Sequence, residues 1–92
     1  MKERELEKQL IDEVKKRGGL CEKWISGTVG WPDRIVMLAD GVIAFVEVKS
    51  PGEKPRSTQL YRHKQLRKLG MAVYVLNSPG QIGGILDEIQ TS

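Results

Sequence analysis

Between Arg34 and Lys49 the chain reads RIVMLADGVIAFVEVK, two β-rich runs (34–38 and 42–49) separated by Ala39-Asp40-Gly41. This spacing predicts a hairpin, and its loop length decides which side chains share a face. A two-residue Asp40-Gly41 loop pairs Ala39 with Val42 and sets Asp33 opposite Val48, so Asp33 and Glu47 fall on opposite faces. A three-residue loop pairs Leu38 with Val42 and sets Asp33 opposite Glu47 on one face. It suits a type I turn followed by a left-handed glycine. The second register also matches Ile35 with Phe45 and Met37 with Ile43 across the strands, and it is the one expected. It requires that no bulge interrupt the pair. Glu47 and Lys49, two apart on one strand, then share that face at about 6.5–7 Å.

Upstream, residues 3–17 read as an amphipathic helix with Leu6, Leu10, Ile11 and Val14 on one stripe, stopped by Gly18-Gly19. Residues 20–25, LCEKWI, read as a short strand, and SGTVGWP as a loop whose Pro32 disfavours helix at Trp31. Downstream, SPGEKPRS (50–57) is a loop, after which Ser57 or Thr58 can cap a helix over 58–69. Leu60, Tyr61, Leu66 and Leu69 are its apolar positions. MAVYVL (71–76) is a continuous apolar run, expected as a central strand covered on both faces. Ser78 and Pro79 suit the N-cap and first position of a last helix over about 79–89. The expected order is αβββαβα: a single small α/β domain over residues 1–92, with a mixed central β-sheet flanked by helices.

A chain of 92 residues buries only about 60–65% of the surface its unfolded form exposes, so pairing with a second copy is one way to supplement a small core. A charged fraction of 29% and an apolar fraction of 39% belong to a globular rather than a disordered chain. The single cysteine, Cys21, excludes an internal disulfide and a cysteine zinc site, and the single histidine, His63, excludes a multi-histidine centre. No apolar run nears the ~20 residues of a membrane span, and MKERELEKQL is too charged for a signal peptide, so a soluble, cytoplasmic protein is expected. The net charge of +3 is unevenly spread: residues 49–68 hold seven cations and one acid, Glu53. A basic segment of this kind points to a polyanion partner, against the plainer reading of a solvated helix face and loop.

Two carboxylates held side by side repel unless a proton or cation intervenes. Hard oxygen ligands at one edge suit Mg²⁺ or Mn²⁺. A lysine beside such an ion can orient an attacking water and offset charge on a phosphoryl group. For an Asp and a Glu-x-Lys alone, a salt-bridge cluster at a strand end is the plain alternative.

GWPDRIVML followed by FVEVK resembles the Pro-Asp…(Asp/Glu)-x-Lys signature of the PD-(D/E)xK nuclease superfamily. With the acidic first helix, the TQLYRHKQLRKLG helix and the VYVL strand, the chain more narrowly resembles a stand-alone VRR-NUC domain, of the kind found in phages and in larger DNA-repair nucleases. The resemblance implies a restriction-endonuclease-like core and a divalent-metal-dependent DNA endonuclease. It implies that Asp33 and Glu47 bind Mg²⁺ (or Mn²⁺), that the Val48 carbonyl completes the coordination, and that Lys49 is catalytic. An acid of the first helix joins the metal site in this family; Glu7 matches best, Glu3 and Glu5 less well. Gln59 matches a glutamine with a supporting role near the site, and reads almost equally as a helix N-terminal residue bonding its own loop. Similarity of the phage domains to archaeal Holliday-junction resolvases implies a homodimer cutting branched DNA, in the host-cell cytoplasm if the chain is viral. A reading from another class is a nucleic-acid-binding module that keeps the fold without useful turnover; the joint presence of Asp33, Glu47 and Lys49 counts against it.

Lys54 and Arg56, in a loop read as a flexible phosphate grip, and Arg62 and Lys64 on the following helix are the expected DNA contacts. Trp31 stands between loop anchor and DNA contact, and Trp24 is expected in the core. His63 reads as a solvated surface histidine, with phosphate contact or proton carriage as the alternative. Cys21 is expected to be buried and inert.

Overall fold

The computed structural model describes residues 1–91. Helix α1 (Glu3–Lys16) precedes strands β1 (Leu20–Lys23), β2 (Arg34–Leu38) and β3 (Val42–Val48); helix α2 (Ser57–Lys68), strand β4 (Val73–Leu76) and helix α3 (Ile82–Thr91) follow. This is the expected αβββαβα order. The sheet runs β1-β2-β3-β4, antiparallel from β1 to β3, with β4 parallel to β3 across the α2 crossover.

The hairpin adopts the three-residue loop. Leu38 pairs with Val42, Met37 with Ile43, Ile35 with Phe45 and Arg34 with Val46. Continued by one residue, this register sets Asp33 opposite Glu47. The turn departs from the expected form because Asp40 (φ 67) and Gly41 (φ 73) are both left-handed. Aspartate is one of the few side-chain-bearing residues that visit this region, since its short polar group bonds locally.

Alternation along β3 sorts the core into two layers. Ala44, Val46 and Val48 join Leu6, Leu10 and Val14 of α1 and Ile82, Leu86 and Ile89 of α3. Phe45 turns the other way, packing with Leu66 of α2 and Val73, beside Trp31 and Ile35. Glu47 rises on this second face. Residues 44–48 are all buried, in keeping with the place of β3 inside the sheet, between β2 and β4.

Residues 71–76 are not a central strand. β4 begins at Val73 and lies at the sheet edge, bonded to β3 alone. Its apolar run has a different cause: Val73 feeds the α2 layer and Leu76 the α1/α3 layer. Helix α2 departs further. Leu60, Tyr61 and Leu69 are exposed, and the buried side chains are His63 and Leu66. Ser78 makes no side-chain cap; a tight turn at Pro79–Gln81 precedes α3, and Gln81 Oε1 accepts from the Asn77 N–H at 2.9 Å. Among the described residues, no helix is long and apolar enough to cross a membrane.

Candidate active site

The loop carrying Asp33 is clamped to α2. Gly30 has φ +90, and a Cβ there would lie 2.6 Å from the Thr58 carbonyl oxygen. Left-handed backbone and close approach both require glycine. Next along the loop, Trp31 packs against Trp24 and Phe45, with ring centroids 5.9 and 5.7 Å away, and the Arg62 guanidinium lies over its ring at 5.8 Å. Asp33 is then tied twice: its carbonyl accepts from Trp24 N–H, and its Oδ2 accepts from Val48 N–H, each at 2.8 Å.

Glu47 is 1% exposed. Gln59 Nε2 donates to its Oε2 at 3.2 Å, and Lys49 Nζ stands 3.7 Å from the same oxygen. Oε1 faces His63 Nε2 at 3.5 Å without a hydrogen bond. Neither that oxygen nor either ring nitrogen of His63 has a hydrogen-bond partner. An unpaired buried polar group of this kind costs about 1–3 kcal/mol. Burial pushes the Glu47 carboxyl up to about 8, reinforced by the neighbouring Asp33 carboxylate, opposed by Lys49, and raised slightly again by Glu3. Burial, seconded by the charge of Arg67, holds His63 below its ordinary value. Burial thus favours the uncharged form of both groups, opposing the charge on the Glu47 carboxyl and on the His63 ring alike.

A buried carboxyl with one oxygen unpaired, beside a second carboxylate, has the oxygen-donor chemistry that a divalent cation can complete. The hard oxygens suit Mg²⁺ or Mn²⁺. Glu7 does not stand with this pair. Its Oε2 accepts from Arg34 Nε at 2.8 Å, and Arg34 leaves β2 on the face opposite Asp33 and Glu47. Among the described residues, no three His, Cys, Asp or Glu side chains gather as a ligand cluster. The α1 acid whose charge reaches Glu47 is Glu3. Gln59 makes both contacts open to it: Oε1 accepts from Arg56 N–H at 2.8 Å, while Nε2 reaches Glu47.

His63 is fully buried, contrary to the expected surface position. A signal for it was present, since Gln59, His63 and Leu66 stand at i, i+4 and i+7 on one helical stripe, which a count of apolar residues passes over. Trp24 is 37% exposed and forms the rim of the aromatic cluster rather than core. The loop holding Lys54 and Arg56 is pinned, not free: Gly52 N–H donates to Asn77 O at 3.2 Å, and Asn77 Nδ2 donates to Glu53 O at 2.9 Å. Lys54, Arg56 and Lys64 are exposed. Arg62 is half-buried over Trp31 and donates to Gln65 Oε1 at 2.8 Å. Trp31, Tyr61, Arg62, Lys64 and Lys68 line a groove of about 770 Å³ along α2. Cys21 is buried, its thiol pushed up to about 11 by burial.

No protein-family model matches the sequence. A curated protein of Acyrthosiphon pisum secondary endosymbiont phage 1, named "Putative nuclease p44", is 49% identical over 79 residues, spanning 85% of this chain and 85% of that protein. A solved structure described as a VRR_NUC domain superposes with a TM-score of 0.86 at 37% identity, covering 92% of this chain and 94% of that one. With its mixed four-stranded sheet, three helices and paired carboxylates beside a lysine, the chain belongs to the VRR-NUC family of nucleases.

Proposed function

We propose that this nuclease is a Mg²⁺- or Mn²⁺-dependent DNA endonuclease that cuts branched DNA as a homodimer, in the cytoplasm of the host cell. The observation carrying this reading is the buried Glu47, held beside Asp33 and 3.7 Å from Lys49. Asp33 and Glu47 would hold the ion, with the Val48 carbonyl as a further ligand. Glu3 is a better candidate than Glu7 for the acid from α1, since Glu7 is engaged by Arg34. When bound, the cation supplies Lewis-acid activation of the phosphodiester.

The protein's own groups do the rest. Asp33 anchors the loop to the Val48 amide through Oδ2, which keeps its carboxylate beside Glu47. The Lys49 ammonium, mostly shielded from solvent, orients the attacking water and offsets the charge that builds on phosphorus. Water oxygen bonds to phosphorus as the bond to the leaving oxygen breaks, giving a 5′-phosphate and a 3′-hydroxyl. Lys54, Arg56, Lys64 and the Trp31–Arg62 stack contact the strand on either side. Leu69, exposed just past the C-terminal end of α2 and so a helix length from Arg56, supports a second copy docking at that end of the helix.

The test is cleavage of an end-labelled four-way junction, a flap and a linear duplex with Mg²⁺ or Mn²⁺, with Lys49→Ala beside wild type. Cuts near the branch that depend on Lys49, with the duplex spared, are expected. Binding without metal-dependent cleavage of any of the three would favour a nucleic-acid-binding module instead.

A further inference from the structure

We propose that His63 is a positioning residue: with Gln59 it holds the Glu47 carboxylate from α2 by both oxygens, and so sets the affinity of that carboxylate for a divalent cation. The inference rests on the metal-dependent reading above and gives a role to a residue which that reading leaves unused.

Gln59 and His63 are one helical turn apart, so both side chains leave α2 on the face turned to β3. Gln59 Nε2 takes Glu47 Oε2 at 3.2 Å, and His63 Nε2 stands 3.5 Å from Oε1. Lys49 also lies on the Oε2 side. Asp33 also faces this carboxyl, from the loop, and His63 is the group of α2 that faces Oε1. A histidine that only fills the core has its ring nitrogens tied to neighbours. Here Nδ1 and Nε2 have no partner, nor has Oε1, and all three are sealed from solvent. Two unsatisfied atoms facing each other at this distance need only a small shift to form a hydrogen bond. Partners that hydrogen-bond a ligating carboxylate fix its orientation, and their loss lowers metal affinity about 10–100-fold.

Two measurements test this. In calorimetric titration with Mn²⁺, His63→Leu, which removes the polar ring atoms, should bind about 10–100-fold more weakly than wild type. His63→Asn should fall between them. In ¹⁵N spectra of the metal-free protein, Glu47→Ala should move the His63 Nε2 resonance much more than Nδ1. Equal Mn²⁺ affinity in wild type and His63→Leu, with or without a drop in stability, marks a packing residue and overturns the proposal. So does an Nε2 resonance indifferent to Glu47→Ala. If His63→Leu does not fold, His63→Asn carries the titration, and unchanged affinity there is equally adverse. A wild-type protein that binds no Mn²⁺ removes the metal-dependent reading instead, and the imidazole spectrum alone then decides whether His63 grips Glu47.

Discussion

Asp33 Oδ2 accepts a hydrogen bond from the backbone N–H of Val48 at 2.8 Å, so one carboxylate is at once a candidate ligand and a structural tie between the loop and β3. Two substitutions separate these roles. Asp33→Asn keeps an oxygen for the Val48 amide and should leave the urea midpoint near wild type. Asp33→Ala leaves that amide without its partner and should cost about 1–2 kcal/mol. Both should lower cleavage by about a hundredfold or more, because each removes the anionic oxygen facing Glu47. An Asp33→Asn protein with wild-type turnover would remove Asp33 from the site.

The raised Glu47 carboxyl gives the metal-free protein a pH signature. Between its ordinary value of 4.5 and its folded value of about 8, the folded chain holds a proton that the unfolded chain has released. Stability therefore falls as pH rises through this interval. His63 acts in the opposite sense: its folded value lies below 6.5, so its contribution is lost as pH drops below 6.5. The fall due to Glu47 should be cleanest between about pH 7.5 and 8, a unit or more above the ordinary His63 value of 6.5, where His63 is almost wholly neutral in both states. Urea denaturation in EDTA across that range should show it, and Glu47→Gln should flatten it. A slope unchanged in Glu47→Gln would mean that the carboxyl is not held protonated.

Gly30 is where loop and helix meet most closely, and a methyl group there would collide with the Thr58 carbonyl while forcing a left-handed alanine. Gly30→Ala should cost about 1–3 kcal/mol for the strained backbone, with the clash added. It should also lower activity at temperatures where the protein is still folded, because Asp33 lies three residues further on. Thermal midpoints and single-turnover rates measured together would check both. An unchanged midpoint would show that the loop can leave α2 freely.

The hairpin was legible in the sequence because a period of two allows few registers, and Ile35–Phe45 and Met37–Ile43 pair well in one of them. That register alone brings Asp33, Glu47 and Lys49 to one end of one face. What lay across from them was not legible. Which side of α2 turns inward depends on what β3 offers, and β3 offers Phe45 at one end and Glu47 at the other. The helix therefore buries Leu66 against Phe45 and Val73 while turning Gln59 and His63 toward Glu47, leaving Leu60, Tyr61 and Leu69 outside. The pairing of Glu7 with Arg34 was hidden for a related reason. Glu3 and Glu7 are one turn apart on α1, and only the position of Arg34 shows which carboxylate is engaged.

The exposed side of α2 makes the homodimer reading testable without touching the site. Leu69 is 80% exposed and Tyr61 63%, and both line the groove together with Arg62, Lys64 and Lys68. Monomeric proteins expose isolated apolar side chains freely, so these two matter only if a second chain covers them. Leu69→Asp removes little that the folded monomer uses, so it should still unfold cooperatively, with a midpoint that no longer depends on protein concentration, whereas the wild-type midpoint rises with concentration. In sedimentation velocity the wild type should run as a dimer and Leu69→Asp as a monomer. Paired nicking of a four-way junction should then give way to single nicks, since each chain keeps its own Asp33, Glu47 and Lys49. A Leu69→Asp dimer as tight as wild type would move the interface off α2, and a monomeric wild type would end the dimer reading altogether.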